Sequence, residues 1–415
     1  MDTIPFAKPF IGREEEEAVL AVLRSGWLTT GKETLELEKD FQDFLGEPFR
    51  KSGAGDGPIY CMAVNSATSG LHLALEAIGI KQGDLVLLPS MTFTSTAGVI
   101  RYLGAEPVFV DVVSGGFHID PAALESTLER LERGKARAVI PVHYGGLPCD
   151  MDAIVPIAEK YGLKIIEDAA HSFPSFIPGS GGSPQGRWAG LIGDAGVFSF
   201  YATKTITTGE GGMVVTRDRA IADRVMIMRS HGIDRSVWNR YTDVKASWYY
   251  EVVAPGFKYN IPDILSALGR VQLRRAKELL SMRESIARRY DEAFAEYHPT
   301  GPNSKGSLFL LPPTGPGDAR HLYPLRLKMD MFSISRNVFA EKIQGEGVGI
   351  SVHFIPLHTM PYYRERYSFK DGDFPETFKS YSQTISLPIW PGMTDAQVDR
   401  VITVVKSLAS EYTVM

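Results

Sequence analysis

Between residues 63 and 216 the hydrophobic pattern keeps switching between two periods. Short, almost uninterrupted apolar runs occur at Val86–Pro89, Pro107–Val112, Ala138–His143, Lys164–Asp168, Ala195–Phe200 and Gly211–Thr216. Helical spacing appears in Ser66–Ile78, Ser95–Leu103, Pro121–Arg133 and Met151–Tyr161. A strand that is apolar at successive positions has both faces buried, and helical crossovers between such strands bring them side by side in parallel. The chain is therefore expected to be α/β, with a large, mostly parallel sheet between layers of helices. In such sheets ligands bind beyond the carboxyl ends of the strands. That edge is where polar residues carry the most information.

Outside this region the organisation is looser. Arg13–Arg24 reads as an amphipathic helix with acids in its first turn, which suits the helix dipole. Ser25–Glu33 and Gly46–Pro58 read as loops, the second a surface excursion rich in Gly and Pro. After Thr216 the alternation weakens, and Asp263–Phe294 reads as a long helical stretch. A Pro/Gly-rich linker, Pro312–Asp318, precedes an α+β part: His321–Met329, the helix Ser335–Gly345, Val348–Phe354 and a last helix Asp395–Leu408. This predicts a large domain with an N-terminal arm over residues 1–255 and a smaller C-terminal domain over 256–415.

Composition narrows the function classes. The 415 residues carry a net charge of −5, which favours neither nucleic acid nor an anionic membrane. Basic clusters at Arg270–Lys277 and Arg283–Arg289 fall at helical spacing and read as solvated helix faces. Two cysteines, Cys61 and Cys149, form neither a disulfide framework nor a metal-type spacing, and no metal is expected. There is no secretory signal, and no apolar run approaches the ~20 residues of a membrane span. A cytoplasmic protein is the expectation.

The strand ends then offer a set of chemically complementary groups. Lys204 follows the run Ala195–Phe200, among small residues, hydroxyls and glycines, in Ser199-Phe-Tyr-Ala-Thr-Lys204-Thr-Ile-Thr-Thr-Gly209-Glu-Gly-Gly212. A lysine held in a tight, partly dry pocket has a lowered pKa and forms Schiff bases with carbonyl compounds; the alternative is a solvated surface charge. Asp168 ends the run Lys164–Asp168, where a carboxylate caps a helix, binds a metal or pairs with a protonated ring nitrogen. Phe93 follows Val86–Pro89, placed either to stack on a flat ring or to pack in the core. Asn65-Ser-Ala-Thr68-Ser69-Gly70 opens a helix with small and hydroxyl side chains, an anion site or an ordinary N-cap. Ser199 adds a hydroxyl five residues before the lysine. Together these supply an amine, a partner for a ring nitrogen, a stacking aromatic and a phosphate cradle.

The stretches SGWLTTG, NSATSGLHLAL, PSMTFTSTAGVIRYLGAEPVFVDV, AVIPVHYGGLPCDMDAI, IIEDAAHSF, FSFYATKTITTGEGG, APGFKYNIPDILSALG, HFIPLHTMPYYRERY and SLPIWPGMT run nearly end to end. In them the chain resembles the DegT/DnrJ/EryC1/StrS family of pyridoxal-phosphate sugar aminotransferases, looking nearest to those that aminate C4 of nucleotide-linked 4-keto sugars. The resemblance implies the aspartate-aminotransferase-like fold, fold type I, and pyridoxal 5'-phosphate as cofactor. It implies Lys204 as the Schiff-base lysine, Asp168 as partner of the pyridine nitrogen, His171 near the phenolic oxygen and Phe93 on the ring. Thr68, Ser69 and Ser199 match the phosphate ligands. Asn260 matches an asparagine that reaches the cofactor phosphate of a neighbouring subunit, which makes a homodimer part of the site. His353 and His358 match a motif near the sugar nucleotide, with structural histidines as the other reading, and Trp27 and Thr30 border the sugar pocket. The loop Ile177–Leu191 looks longer than the family usually has; Arg187 and Trp188 there are expected in a surface insertion rather than against ligand.

The expected reaction is transamination of a nucleotide-linked keto sugar, a 4-keto-6-deoxy sugar or 4-keto-pentose, with L-glutamate as amino donor. The alternatives are amination at C3 of a dTDP-3-keto-6-deoxy sugar, a related dehydratase, whose relatives carry histidine in place of Lys204, and a non-catalytic regulator on the same fold.

Overall fold

The computed structural model describes residues 3–52, 57–177, 186–234, 249–298 and 307–414. Its centre is a seven-stranded sheet. The strands in chain order are β1 (Tyr60–Val64), β2 (Leu85–Pro89), β3 (Glu106–Val110), β4 (Ala136–Val139) and β5 (Lys164–Asp168). After the short ribbon of β6 (Phe176–Ile177) and β7 (Arg187–Trp188) come β8 (Ala195–Ser199) and β9 (Gly212–Thr216). Their spatial order is β1-β9-β8-β5-β4-β2-β3. Pairings from β3 through β8 are parallel, whereas β9 runs antiparallel to both β8 and β1. All six expected strands are present. The strand β1 was not anticipated: it is short and follows a Gly/Pro-rich stretch.

The apolar runs are two-sided for the reason the pattern suggested. Val197 and Val214 face a core with Leu71, Leu75, Val86 and Leu88. Their chain neighbours Phe198 and Met213 face the opposite core, with Phe41, Phe173 and Ala63. Leu87, Val139 and Ile165 pack with Ile154 of the helix Met151–Tyr161. Gly70 lets the helix Ala67–Ala77 lie flush on the sheet, since a Cβ there would come 2.7 Å from Val197 Cγ1.

A second, antiparallel sheet joins β10 (Phe309–Leu310), β11 (Tyr323–Leu327) and β12 (Thr384–Leu387). Its core combines Tyr290, Phe294, Leu325, Phe339, Ile385, Val401 and Val405, and Ile4 of the N-terminal arm. Ile261, Leu273, Ala276 and Leu279 instead join the core of the large sheet, so the helix Asp263–Arg274 packs with that layer.

Two local expectations are corrected. The Gly46–Pro58 excursion is helical as far as Ser52, in a helix from Lys32 with Pro48 inside; residues 53–56 lie outside the described set. Proline removes one backbone hydrogen bond, but Phe41 and Leu45 are fully buried on the same helix and hold it against the sheet. In the Ile177–Leu191 loop, residues 178–185 lie outside the described set, and Trp188 is not a surface residue. Its indole is buried beside Phe44 and Phe176 and donates to the Leu45 carbonyl at 2.8 Å. Arg187 pairs with Asp152 at 2.7 Å. No helix among the described residues is long and apolar enough to cross a membrane.

Candidate active site

Strand register brings the informative residues to one edge. Asp168 ends β5 opposite Val197, and Ser199 ends β8 opposite Gly212. Gly212 also pairs with Val64, the last residue of β1, and the helix Ala67–Ala77 begins three residues later. Gly212 is needed there, since a Cβ would lie 2.8 Å from both Ala67 N and Phe198 O. The helix start, both strand ends and the Lys204 turn thus share the sheet's carboxyl edge. A cavity of about 430 Å³ opens on it, lined among others by Thr68, Phe93, Asp168, His171, Ser199 and Lys204.

Lys204 is a half-buried residue of the cavity wall. Burial pulls its amine down to about 7; Asp168 opposes that shift and Arg283 adds to it. Burial raises the Asp168 carboxyl above its ordinary value, against the Thr96 hydroxyl, the Ala170 N–H and the Lys204 charge. Thr96 Oγ1 donates to Asp168 Oδ2 at 2.7 Å and must then accept from Thr92 Oγ1 at 2.8 Å, a hydroxyl chain that orients the carboxylate. His171 receives the Gly145 N–H on Nδ1 at 3.2 Å, so its neutral ring carries the proton on Nε2. Burial, then Lys204, hold His171 well below its ordinary pKa and His353 down to about 4. The imidazoles around the amine are therefore uncharged at neutral pH.

The other end of the cavity suits an anion. Ser66 caps the helix Ala67–Ala77 by accepting from Ser69 N, which leaves the N–H groups of Ala67 and Thr68 without intrahelical acceptors. Ser66, Ala67, Thr68 and Ser199 all line the cavity. Phe93 is 54% exposed although it follows a buried strand, which offers an open aromatic face. The donor set fits pyridoxal phosphate: free N–H groups and hydroxyls for the phosphate, a carboxylate for the ring nitrogen, an aromatic face and an amine.

Not every expected residue reaches this cavity. Ser69 lies behind the helix start, where its single hydroxyl hydrogen is shared between Asn65 Oδ1 and the Ser66 carbonyl, both 2.7 Å away. His353 does line the cavity, with Nδ1 3.0 Å from Ser386 Oγ. His358 does not; it is fully buried, with Nδ1 2.6 Å from Ser90 Oγ and its ring against Phe374. Asn260, Thr30 and Trp27 form a separate cluster. Asn260 Nδ2 donates to Thr30 Oγ1 at 2.5 Å, and Trp27 Nε1 donates to the Thr30 carbonyl at 3.4 Å.

Sequence reasoning missed several wall residues. Phe354 stacks on His171 with centroids 5.6 Å apart, and His321 lies 4.5 Å from His171. Both come from the C-terminal part of the chain, so no local signal joins them to Lys204. Arg283 is a correction: it lies on no solvated face but is 2% exposed. Its place in line with Leu279, Ile286 and Tyr290 was the available signal.

Comparison with known proteins agrees with this geometry. The profile of the DegT/DnrJ/EryC1/StrS aminotransferase family matches residues 9–406. The spore coat polysaccharide biosynthesis protein SpsC of Bacillus subtilis is 40% identical over 409 residues, 98% of this chain and 97% of that protein. Among solved structures, the PLP form of Spr1654 from Streptococcus pneumoniae superposes with a TM-score of 0.83 at 29% identity, covering 99% of each chain. Helicobacter pylori PseC, an aminotransferase of pseudoaminic acid biosynthesis, gives 0.83 at 26% identity, over 99% of this chain and 100% of PseC.

Proposed function

Since this chain belongs to the DegT/DnrJ/EryC1/StrS aminotransferase family and is a pyridoxal-phosphate-dependent sugar aminotransferase, we propose that it transfers the amino group of L-glutamate to a nucleotide-linked keto sugar. The products are an amino sugar nucleotide and 2-oxoglutarate. The observation that carries the reading is a Lys204 amine drawn down to about 7 by burial, so about half neutral at neutral pH, in one cavity with Asp168, an exposed aromatic and a helix start.

When bound, pyridoxal phosphate supplies the carbonyl that takes up the amine and a ring that accepts electrons from the carbon losing its proton. Lys204 would anchor the cofactor and, when free, would be the base that moves a proton between the donor's α-carbon and the cofactor's C4′. An arginine could not do this, because it never gives up its proton at working pH. Asp168, held by Thr96, keeps the ring nitrogen protonated. His171, with its proton on Nε2, would donate to the phenolic oxygen. Thr68, Ser199 and the N–H groups of the helix start take the phosphate, with Ser69 supporting that turn through Asn65 and Ser66. Phe93 covers the ring.

His353, in the cavity wall, is assigned to the sugar nucleotide, and His358 behind it to the support of that wall. Asn260, with Thr30 and Trp27, lies outside this cavity wall, which suits a role at the site of a second subunit in a homodimer. A large domain of residues 1–255 and a smaller one of 256–415, with the helix Asp263–Arg274 packed on the large sheet's side and Ile4 on the small sheet's, and a cytoplasmic location complete the reading. The position aminated is proposed to be C4, in a 4-keto-6-deoxy sugar or 4-keto-pentose destined for a surface polysaccharide, in keeping with SpsC.

The test is a screen of UDP-, dTDP- and GDP-linked 4-keto and 3-keto sugars with L-glutamate, read by mass. Formation of a 4-amino sugar nucleotide together with 2-oxoglutarate supports the assignment. Amination of 3-keto sugars alone would move it to C3. A protein that stays colourless with pyridoxal phosphate and forms no product would instead be a regulator on this fold.

A further inference from the structure

Arg283 sits in the buried stripe of the helix Ala276–Phe294. A guanidinium out of water is costly unless its donors are met, and apolar residues of similar volume are often better tolerated there. Here the acceptors are all main-chain carbonyls: Ile389 O at 2.7 Å, His321 O at 3.1 Å and Thr203 O at 3.3 Å. Among the described residues no carboxylate pairs with it, and burial alone pushes it down to about 10. The three carbonyls are not scattered. Thr203 immediately precedes Lys204, and Thr203, His321 and Ile389 all line the cavity. Thr203 belongs to the turn on the large sheet, while His321 and Ile389 flank strands of the small sheet.

We propose that Arg283 is a positioning residue for Lys204, its guanidinium fork tying the peptide before the lysine to the two C-terminal segments that close the cavity. Lysine at 283 would present a point charge on a flexible stem and could not hold three carbonyls in fixed directions. The tie also brings a cation toward the amine. The charged groups that act on Lys204 are then Asp168 from β5 and Arg283, while His171, His321 and His353 feel its charge and are lowered by it; Glu210 lines the same cavity. Asp168 favours the protonated amine and Arg283 opposes it.

The inference rests on Lys204 being the reactive amine, and its first test is independent of turnover. Cofactor-free wild type, Arg283→Gln and Arg283→Lys are reductively methylated with formaldehyde and cyanoborohydride from about pH 6 to about pH 10, bracketing the shifted and ordinary lysine ranges. Peptide mass spectrometry reads Lys204 against the exposed Lys160 and Lys277. The Arg283→Gln midpoint for Lys204 is expected to rise by about one pH unit, because a like charge is removed, and Arg283→Lys is expected to keep the wild-type midpoint. In the holoenzyme, Arg283→Lys should lower the limiting single-turnover rate with L-glutamate by about tenfold or more, with half-saturation changed less than about twofold. A merely structural role would lower the melting temperature and leave the midpoint of the folded chain where it was. An unmoved midpoint in Arg283→Gln overturns the proposal, as does a wild-type rate in Arg283→Lys, which also decides the matter where Arg283→Gln does not fold. Because labelling needs no cofactor, absence of transamination leaves that readout standing.

Discussion

Replacing Lys204 by methionine in the cofactor-free chain gives a pH-dependent change in stability whose size follows from the site. The amine is drawn from its ordinary 10.5 to about 7. A lysine whose native pKa is lowered binds fewer protons when folded than when unfolded between those two values. Its cost to stability is thus complete below the native pKa and fades as pH rises to the ordinary one. At 1.36 kcal/mol per unit, that cost is about 5 kcal/mol at pH 6 and about 2 kcal/mol at pH 9. Lys204→Met removes this term and fills the space with an unbranched apolar chain. The variant should therefore gain stability over wild type at both pH values, by about 3 kcal/mol more at pH 6 than at pH 9. Urea unfolding of both proteins at the two pH values, followed by tryptophan fluorescence, measures the double difference. The Asp168–Lys204 attraction is already part of the shift to about 7 and is not counted a second time. A double difference near zero would refute the desolvated amine.

Other perturbations probe the remaining parts. Asp168→Asn keeps the Thr96 contact but removes the charge; half-transamination with L-glutamate, followed by absorbance, should slow by about 10³-fold, in line with the loss of a buried electrostatic partner. Thr68→Ala combined with Ser199→Ala should weaken pyridoxal phosphate binding, measured by fluorescence titration, by about 10²-fold or more, since each hydrogen bond to a charged group contributes about 1.5–3 kcal/mol. Gly70→Ala drives a Cβ to 2.7 Å from Val197 Cγ1; overpacking of that kind costs about 1–3 kcal/mol, seen as a lower melting temperature.

Much of this site was legible because a parallel sheet gathers its strand ends. Lys204, Asp168, Phe93 and Ser199 end or follow recognisable strands, so placing the strands also placed the residues, whereas Thr68 was marked by its helix start, the strand before it having been missed. Roles for His171, Asn260 and the two C-terminal histidines came from family resemblance. Here the structure separates His353, in the cavity wall, from His358, which is packed on Phe374 behind Ser90. Ser69 was expected as a phosphate ligand from the family resemblance, but the capping geometry turns its hydroxyl to Asn65 and Ser66. Long-range partners were invisible. His321 and Phe354 reach His171 only because the small sheet folds over the large one, and Trp188 is buried by a helix that read as loop beyond Gly46. Arg283 is the instructive miss: charge type suggested solvent, whereas its position in the helical repeat pointed inward.

The most direct measurement is borohydride reduction of the protein loaded with pyridoxal phosphate, followed by peptide mapping and an amination assay. The account predicts one reduced cofactor adduct, on Lys204, and loss of both adduct and amino transfer in Lys204→Ala. An adduct on another lysine, or a Lys204→Ala protein that still traps cofactor and aminates sugar, would contradict it.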